Sequence, residues 1–168
     1  MRQYLFLIIL TFCVSCSKNS SRPLASSDSG TFKDLTPATE SKTMIEELYQ
    51  IIDDHRADLG LRPFIRNDEV SELVQSHSDA MARGTVAFGH SGMSGRCSQA
   101  YSILGAGSAC AENVAKGQAS AAAAFRSWMN SPAHRGHLED PELTHTGIAF
   151  AKSATGTHYW TQIFVNGN

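Results

Sequence analysis

The side chains with the widest chemical reach in this sequence are its histidines. Of seven in 168 residues, three crowd between His134 and His145. His134 and His137 follow Pro132 directly, so a rigid turn can hold their rings in fixed directions. Imidazole titrates near neutral pH, and its neutral form is a common metal ligand and proton carrier. Upstream, Phe88-Gly89-His90-Ser91-Gly92 sets a histidine between glycines, where backbone can come close to a bound group. Glu112-Asn113 stands beside a short β-prone run, and a carboxylate and an amide are costly to bury without partners. The chain contains no His-Glu-x-x-His helix and no Gly-x-Ser-x-Gly elbow.

These residues need elements to position them. Phe125, Trp128 and Met129 recur at i, i+3 and i+4, so the helix over 119–130 turns one face to a core. Asn130 is its natural last residue, and Pro132 stops it. Ser131 is free to bond the backbone at that end. Thr43-Met44-Ile45-Glu46 has the form of a capping box. Behind it, Ile45, Leu48, Ile52, His55 and Leu59 predict a first helix that ends at Gly60. Leu61-Arg62-Pro63-Phe64 reads as an extended connector. Asn67 or Asp68 caps a second helix, with Val70, Leu73, Val74, His77, Ala80 and Met81 on its apolar face and Gly84 at its end. His77 on that face reads as a core histidine bonded to backbone, with a ligand role as the alternative. Thr146, Ile148 and Phe150 alternate with small residues. Tyr159, Thr161, Ile163 and Val165 alternate with Trp160, Gln162 and Phe164. With a turn at 153–156 they predict an antiparallel hairpin, and His145 and His158 read as solvated strand-edge residues. Arg135 reads as a surface partner for Glu139, Asp140 and Glu142, and Glu46, Glu47, Asp53 and Asp54 as a solvated helix face.

The net charge of −2 and the absence of any basic run give no sign of a nucleic-acid partner. Residues 1–16 read as a secretory signal: Arg2, the apolar run Leu5–Phe12, then small residues. That run is too short to span a bilayer. Val14-Ser15-Cys16 resembles a bacterial lipobox, which makes Cys16 a lipidation site and the protein membrane-anchored. A plain signal peptide cut near Ser15 is the alternative, leaving a secreted or periplasmic protein. Residues 17–41, rich in Ser and Thr, read as a flexible tether, and 42–168 as the folded domain. Residues 84–111 show no clear period and read as one long irregular segment, functional or stapled. Within it Cys97 and Cys110 bracket a thirteen-residue interval, and export makes them a disulfide candidate. Paired, they leave no thiol for nucleophilic work.

In order and spacing the motifs resemble those of the CAP superfamily (cysteine-rich secretory proteins, antigen 5 and pathogenesis-related proteins), in its short bacterial members. They are His77-Ser78-x-x-Met81-Ala82, His90-Ser91-Gly92, Glu112-Asn113-Val114-Ala115 and Trp128-Met129-Asn130-Ser131-Pro132-x-His134-Arg135. Thr146-Gly147-Ile148-Ala149 and Tyr159-Trp160-Thr161-Gln162-Ile163-Phe164 complete the set, which covers residues 43–166. The resemblance implies an α+β fold, a three-layer α-β-α sandwich around a mainly antiparallel sheet. It also implies a cleft tetrad of two histidines and two glutamates. His90, Glu112 and His134 match three of these positions. The fourth, three residues after the tryptophan, is Ser131 here, and His137 stands where bacterial relatives usually carry asparagine.

Two imidazoles and a carboxylate suit a divalent metal, zinc by the resemblance, with an open position for water. Glu112 can then be a ligand, a partner orienting an imidazole from behind, or a general base. The alternative is a hydrogen-bonded network holding loop to helix. His137 and Ser131 are further cleft candidates. The signal and the lipobox imply an exported, lipid-anchored protein at a cell-envelope membrane, and the resemblance implies a cleft that binds a metal and an extracellular lipid, glycan or peptide. A metal-assisted hydrolase acting on an envelope component is the alternative.

Overall fold

The computed structural model describes residues 36–167. The expected signal, the lipidation site Cys16 and most of the tether lie outside them. The elements run α1 (Pro37–Asp58), β1 (Ile65–Arg66), α2 (Asp68–Ala82), α3 (Met93–Leu104), β2 (Cys110–Lys116), α4 (Ala121–Met129), α5 (Pro132–Glu139), β3 (His145–Lys152) and β4 (His158–Val165). The sheet order is β1-β3-β4-β2. Both long pairings are antiparallel and only the short β1 lies parallel to β3.

Alternation along the strands builds two cores. Ala111, Ala115, Ile148, Phe150, Trp160 and Phe164 face α1, α4 and α5, where Leu48, Ile52, Trp128 and Leu138 meet them. The opposite face offers Ala149, Ile163 and Val165 to Val70, Val74, Cys97 and Ala100 of α2 and α3. Met81 covers Val114 and Tyr159 on that same side. The result is the expected α-β-α sandwich.

Four expectations need correction. The first helix starts at Pro37, with Thr36 accepting from the Thr39 N–H at 3.3 Å. Proline at the first helical position is preorganised for a start, and Thr43 lies inside the helix, donating to the Thr39 carbonyl. Residues 37–41 are therefore helical and not tether. Second, the segment 84–111 contains a full helix, α3. Met93, Cys97, Ala100 and Leu104 form its inner stripe, and Gly92 and Gly105, at φ 77° and 65°, bound it in left-handed turns. Third, Pro132 ends nothing by itself. It opens α5, so His134 and His137 ride on a helix and not on a loop. Fourth, His145 and His158 are not strand-edge residues. β3 and β4 are the inner strands, and His158 is 8 % exposed, with Nδ1 donating to the Gln118 carbonyl and its ring edge-on to Phe150.

Other expectations hold. Asn67 caps α2 by accepting from the Val70 N–H at 2.9 Å. Gly60 and Gly84 take left-handed conformations just past α1 and α2. Cys97 and Cys110 are bonded, their Cα atoms 5.9 Å apart. A bridge closing a loop of this length stabilises by about 3 kcal/mol in the chain-entropy account. The long pairings also leave Gly147 no choice: a Cβ there would lie 2.5 Å from the Ser71 nitrogen and 2.6 Å from the Val70 carbonyl carbon. The N-terminal turn of α2 rests directly on β3.

Candidate functional site

β2 is the open edge of the sheet, and consecutive strand residues point to opposite faces. Glu112 therefore faces the α3 layer and Asn113 the α5 layer. Each meets a histidine on its own side. His90, on the loop before α3, directs Nδ1 to Glu112 Oε1 at 2.9 Å. His137, on α5, directs Nδ1 to Asn113 Oδ1 at 2.9 Å. A carboxylate accepts, so His90 Nδ1 carries the hydrogen and Nε2 keeps its lone pair. Asn113 spends its amide N–H on the His134 carbonyl at 3.1 Å. Its oxygen is then the acceptor, and His137 is held in the same tautomer.

His134 completes the cleft. Its ring centroid lies 6.2 Å from that of His90, across the rim of the sheet. Its side chain makes no hydrogen bond among the described residues. Burial pulls its pKa below the ordinary 6.5, and the neighbouring imidazoles His90 and His137 add to the shift. His137 is lowered too, by burial first, with Asp140 opposing and His90 adding. Both rings are thus neutral at pH 7, with lone pairs to offer. The cleft holds about 240 Å³ and is lined by His90, Met93, Cys110, Ala111, Glu112, Ala133, His134 and His137.

One residue of the site is invisible in the sequence motifs. Arg96 of α3 forks onto Glu112, with Nε to Oε2 at 2.7 Å and Nη2 to Oε1 at 2.8 Å. Its Nη1 holds the Ser91 carbonyl at 2.8 Å, next to His90. The Glu112 side chain is 0 % exposed and that of Arg96 9 %, while His90 is 44 % exposed. The bridge beside them explains the alignment. Cys97 follows Arg96, and Cys110 shares the Glu112 face of β2, so the disulfide draws guanidinium and carboxylate together. The signal that would have found Arg96 is the apolar stripe of α3 between its two glycines.

Among the described residues, no three His, Cys, Asp or Glu side chains are grouped to hold a metal ion. The reason is local: both Glu112 oxygens already accept from Arg96, and one also from His90. Glu112 therefore does not stand open as a ligand beside His90 and His134. The donor set fits an ion held by two imidazoles, with a carboxylate behind one of them, and does not fit a three-ligand His-Glu-His site. His137 lines the cleft. Ser131 does not: it sits at the N-cap of α5 without a side-chain cap bond, and its carbonyl accepts the Arg135 N–H. His77 is the core histidine expected, with Nε2 donating to the Gly89 carbonyl at 2.8 Å. It steadies the loop that carries His90.

An α-β-α sandwich with a histidine cleft over a sheet edge defines the class of fold. A model of the cysteine-rich secretory protein family (CAP) matches residues 49–164, and the chain belongs to that family. The Bacillus subtilis (strain 168) protein YkwD is 39 % identical over 54 residues, 32 % of this chain and 20 % of its own length. The chain therefore spans only a small part of that relative. Among solved structures, an extracellular SCP-domain protein of Bacillus anthracis str. Ames superposes with a TM-score of 0.67 at 19 % identity, over 79 % of this chain and 44 % of its own. An outer surface protein of Borrelia burgdorferi gives 0.64 at 18 % identity, over 76 % of this chain and 95 % of its own. At such identities the likeness is one of fold.

Proposed function

We propose that the chain is an exported binding module of the cell envelope. In this reading His90 and His134 hold one divalent cation, zinc, and the cleft then takes an extracellular lipid, glycan or peptide with His137 beside it. The observation that carries this is the Arg96–Glu112–His90 relay. A buried carboxylate pins one imidazole through its Nδ1, with the His134 ring centre 6.2 Å away, and a carboxylate behind a ligating imidazole raises its basicity in metal sites. Bound there, the ion would supply an electrophilic contact for an anionic or carbonyl group. Among the described residues Glu112 is the only carboxylate lining the cleft, and its oxygens are occupied by Arg96 and His90. That leaves no free carboxylate base for hydrolysis, so binding takes precedence over turnover. The Borrelia relative is an outer surface protein and the Bacillus anthracis relative an extracellular one, which supports export. Anchoring through Cys16 belongs to the same proposal, and loss of lipid labelling in Cys16→Ser tests it.

The central test is a calorimetric zinc titration of the protein beside His90→Ala, His134→Ala and Glu112→Gln. Either histidine change should abolish binding, whereas Glu112→Gln should weaken it by about 10- to 100-fold. Equal zinc affinity in the protein and the His90→Ala, His134→Ala double variant would refute the cation site. The three residues would then be a network joining loop to helix.

A further inference from the structure

At the other end of α5 a second cavity of about 350 Å³ lies between the α1–β1 connector and the segment that leads into β3. That volume is within the usual range of small-molecule sites, roughly 300–1,000 Å³. Its walls include Leu61, Pro63, Ile65 and Leu143, and its two cationic residues are Arg56 and Arg62. Arg56 is only 2 % exposed. Its Nε donates to the Arg62 carbonyl at 2.7 Å, and Nη1 to the Leu138 and Asp140 carbonyls at 2.7 and 3.2 Å. The guanidinium lies 3.8 Å over the Phe64 ring.

Those contacts make Arg56 a clip between the end of α1, the connector and the end of α5, but they leave it unfinished. Three carbonyls satisfy N–H groups without supplying negative charge. Among the described residues no carboxylate forms a direct ion pair with Arg56; burial lowers its pKa, and the charges of Asp140 and Asp53 offset that only in part. Asp140 instead accepts the Glu142 N–H at 2.8 Å, and Asp53 pairs with Arg66 at 2.8 Å. Nη2 makes no hydrogen bond among the described residues. It is not sealed in either, since the fully enclosed side-chain atoms without partners are Gln118 Oε1, Trp128 Nε1 and Gln162 Oε1. Arg56 is one of the residues that line the cavity. At the rim Arg62 is exposed and without an ion pair among the described residues. A buried cation without a direct ion pair, apolar walls and a second cation at the mouth together define the complement.

We propose that this cavity binds an apolar carboxylate, with the carboxylate oxygens on Arg56 Nη2 and Arg62 and the hydrocarbon part against Leu61, Pro63 and Leu143. Guanidinium is the side chain best matched to such a group. The carboxylate can belong to a free aliphatic acid or to the C-terminus of a peptide ending in an apolar residue.

The test follows the arginine Nε–H resonances and backbone amides of the purified protein by NMR. N-acetyl-leucine, 4-methylpentanoate and N-acetyl-leucinamide are each added up to about 10 mM, enough to see millimolar binding. The Arg56 Nε–H and the amides of Leu143 and Ile65 should shift with a carboxylate and not with the amide. Shifts with both acids assign free acids as well as chain termini, and shifts with N-acetyl-leucine alone assign a peptide terminus. Arg62→Glu, on an exposed residue, should weaken binding about tenfold, the equivalent of 1.4 kcal/mol. Arg56→Lys should abolish binding, and if it does not fold, Arg62→Glu carries the test alone. No shift with either acid, an equal shift with N-acetyl-leucinamide, or unchanged affinity in Arg62→Glu would overturn the proposal.

Discussion

Replacing Arg96 with methionine should expose what the cleft costs to maintain. The change removes a guanidinium that is 9 % exposed and leaves a carboxylate that is 0 % exposed. Breaking a buried pair by deleting one partner costs about 3–5 kcal/mol, because the remaining charge is neither solvated nor matched. Glu112 keeps the His90 Nδ1–H, so the lower end applies, about 3 kcal/mol. With a urea m-value of roughly 2 kcal/mol/M the unfolding midpoint should drop by about 1.5 M. Replacing both partners, Arg96→Met with Glu112→Leu, removes the stranded charge. Such swaps are often close to neutral, so the double variant should recover most of the loss while His90 is left without its anchor. Circular dichroism across a urea series reads all four proteins of the cycle. A loss under about 1 kcal/mol in Arg96→Met, as an exposed pair would give, would refute the reasoning. So would a double variant as unstable as the sum of the singles.

Two further outcomes follow from the packing. Gly147→Ala should destabilise by about 3 kcal/mol, the upper end of overpacking, since two of the three atoms nearest the new methyl are backbone. A midpoint within error of the parent would show that α2 can move off β3. His77 has its pKa lowered chiefly by burial, against the raising effect of its bond to Gly89. Above the unfolded value of about 6.5 it is neutral in both states. Below it the unfolded chain takes the proton first, so stability is present at pH 7 and is lost as pH falls through the folded value. Relative to His77→Gln, which can still donate to the Gly89 carbonyl, the parent should therefore lose stability as pH falls below about 6.5. An unchanged or growing advantage for the parent as the pH falls would contradict the assignment.

The sequence showed some of this and hid the rest for physical reasons. The β3–β4 hairpin was legible because its alternation is strict and its turn lies in a polar, glycine-containing stretch. α2 was legible through the Asn67 cap and a clean apolar stripe. α3 was not: Ser94, Gly95, Ser98 and Ser102 dilute its pattern, and its inner stripe acquires meaning only when Cys97 is tied to β2. His158 was misread because nothing local says that β4 is an inner strand. That is decided by β2, which pairs with it across two intervening helices and a strand. The motifs located His90, Glu112 and His134, yet the partner that decides the role of Glu112 is Arg96. That pairing is a tertiary event across 16 residues. The offset of α1 was readable in principle, since Thr36-Pro37 is itself a start signal, and the downstream Thr43–Glu46 box competed with it.

The straddling of β2 makes the cleft unusually intolerant of one kind of sequence change. Two of its histidines, His90 and His137, are tethered by neighbouring residues that reach opposite layers, so a slip of one position would turn each tether to the other face: the amide would face Arg96 and the carboxylate would enter the α5 layer. Both tethers would be lost together. A single inserted or deleted residue inside 110–116 therefore acts on the site as an on-off change. The same event in 105–109 or 117–120 lengthens or shortens a connector and leaves the pairing intact. Chains that keep this cleft should vary in length around the strand and not within it, and the Cys97–Cys110 bond fixes the point from which that count is kept.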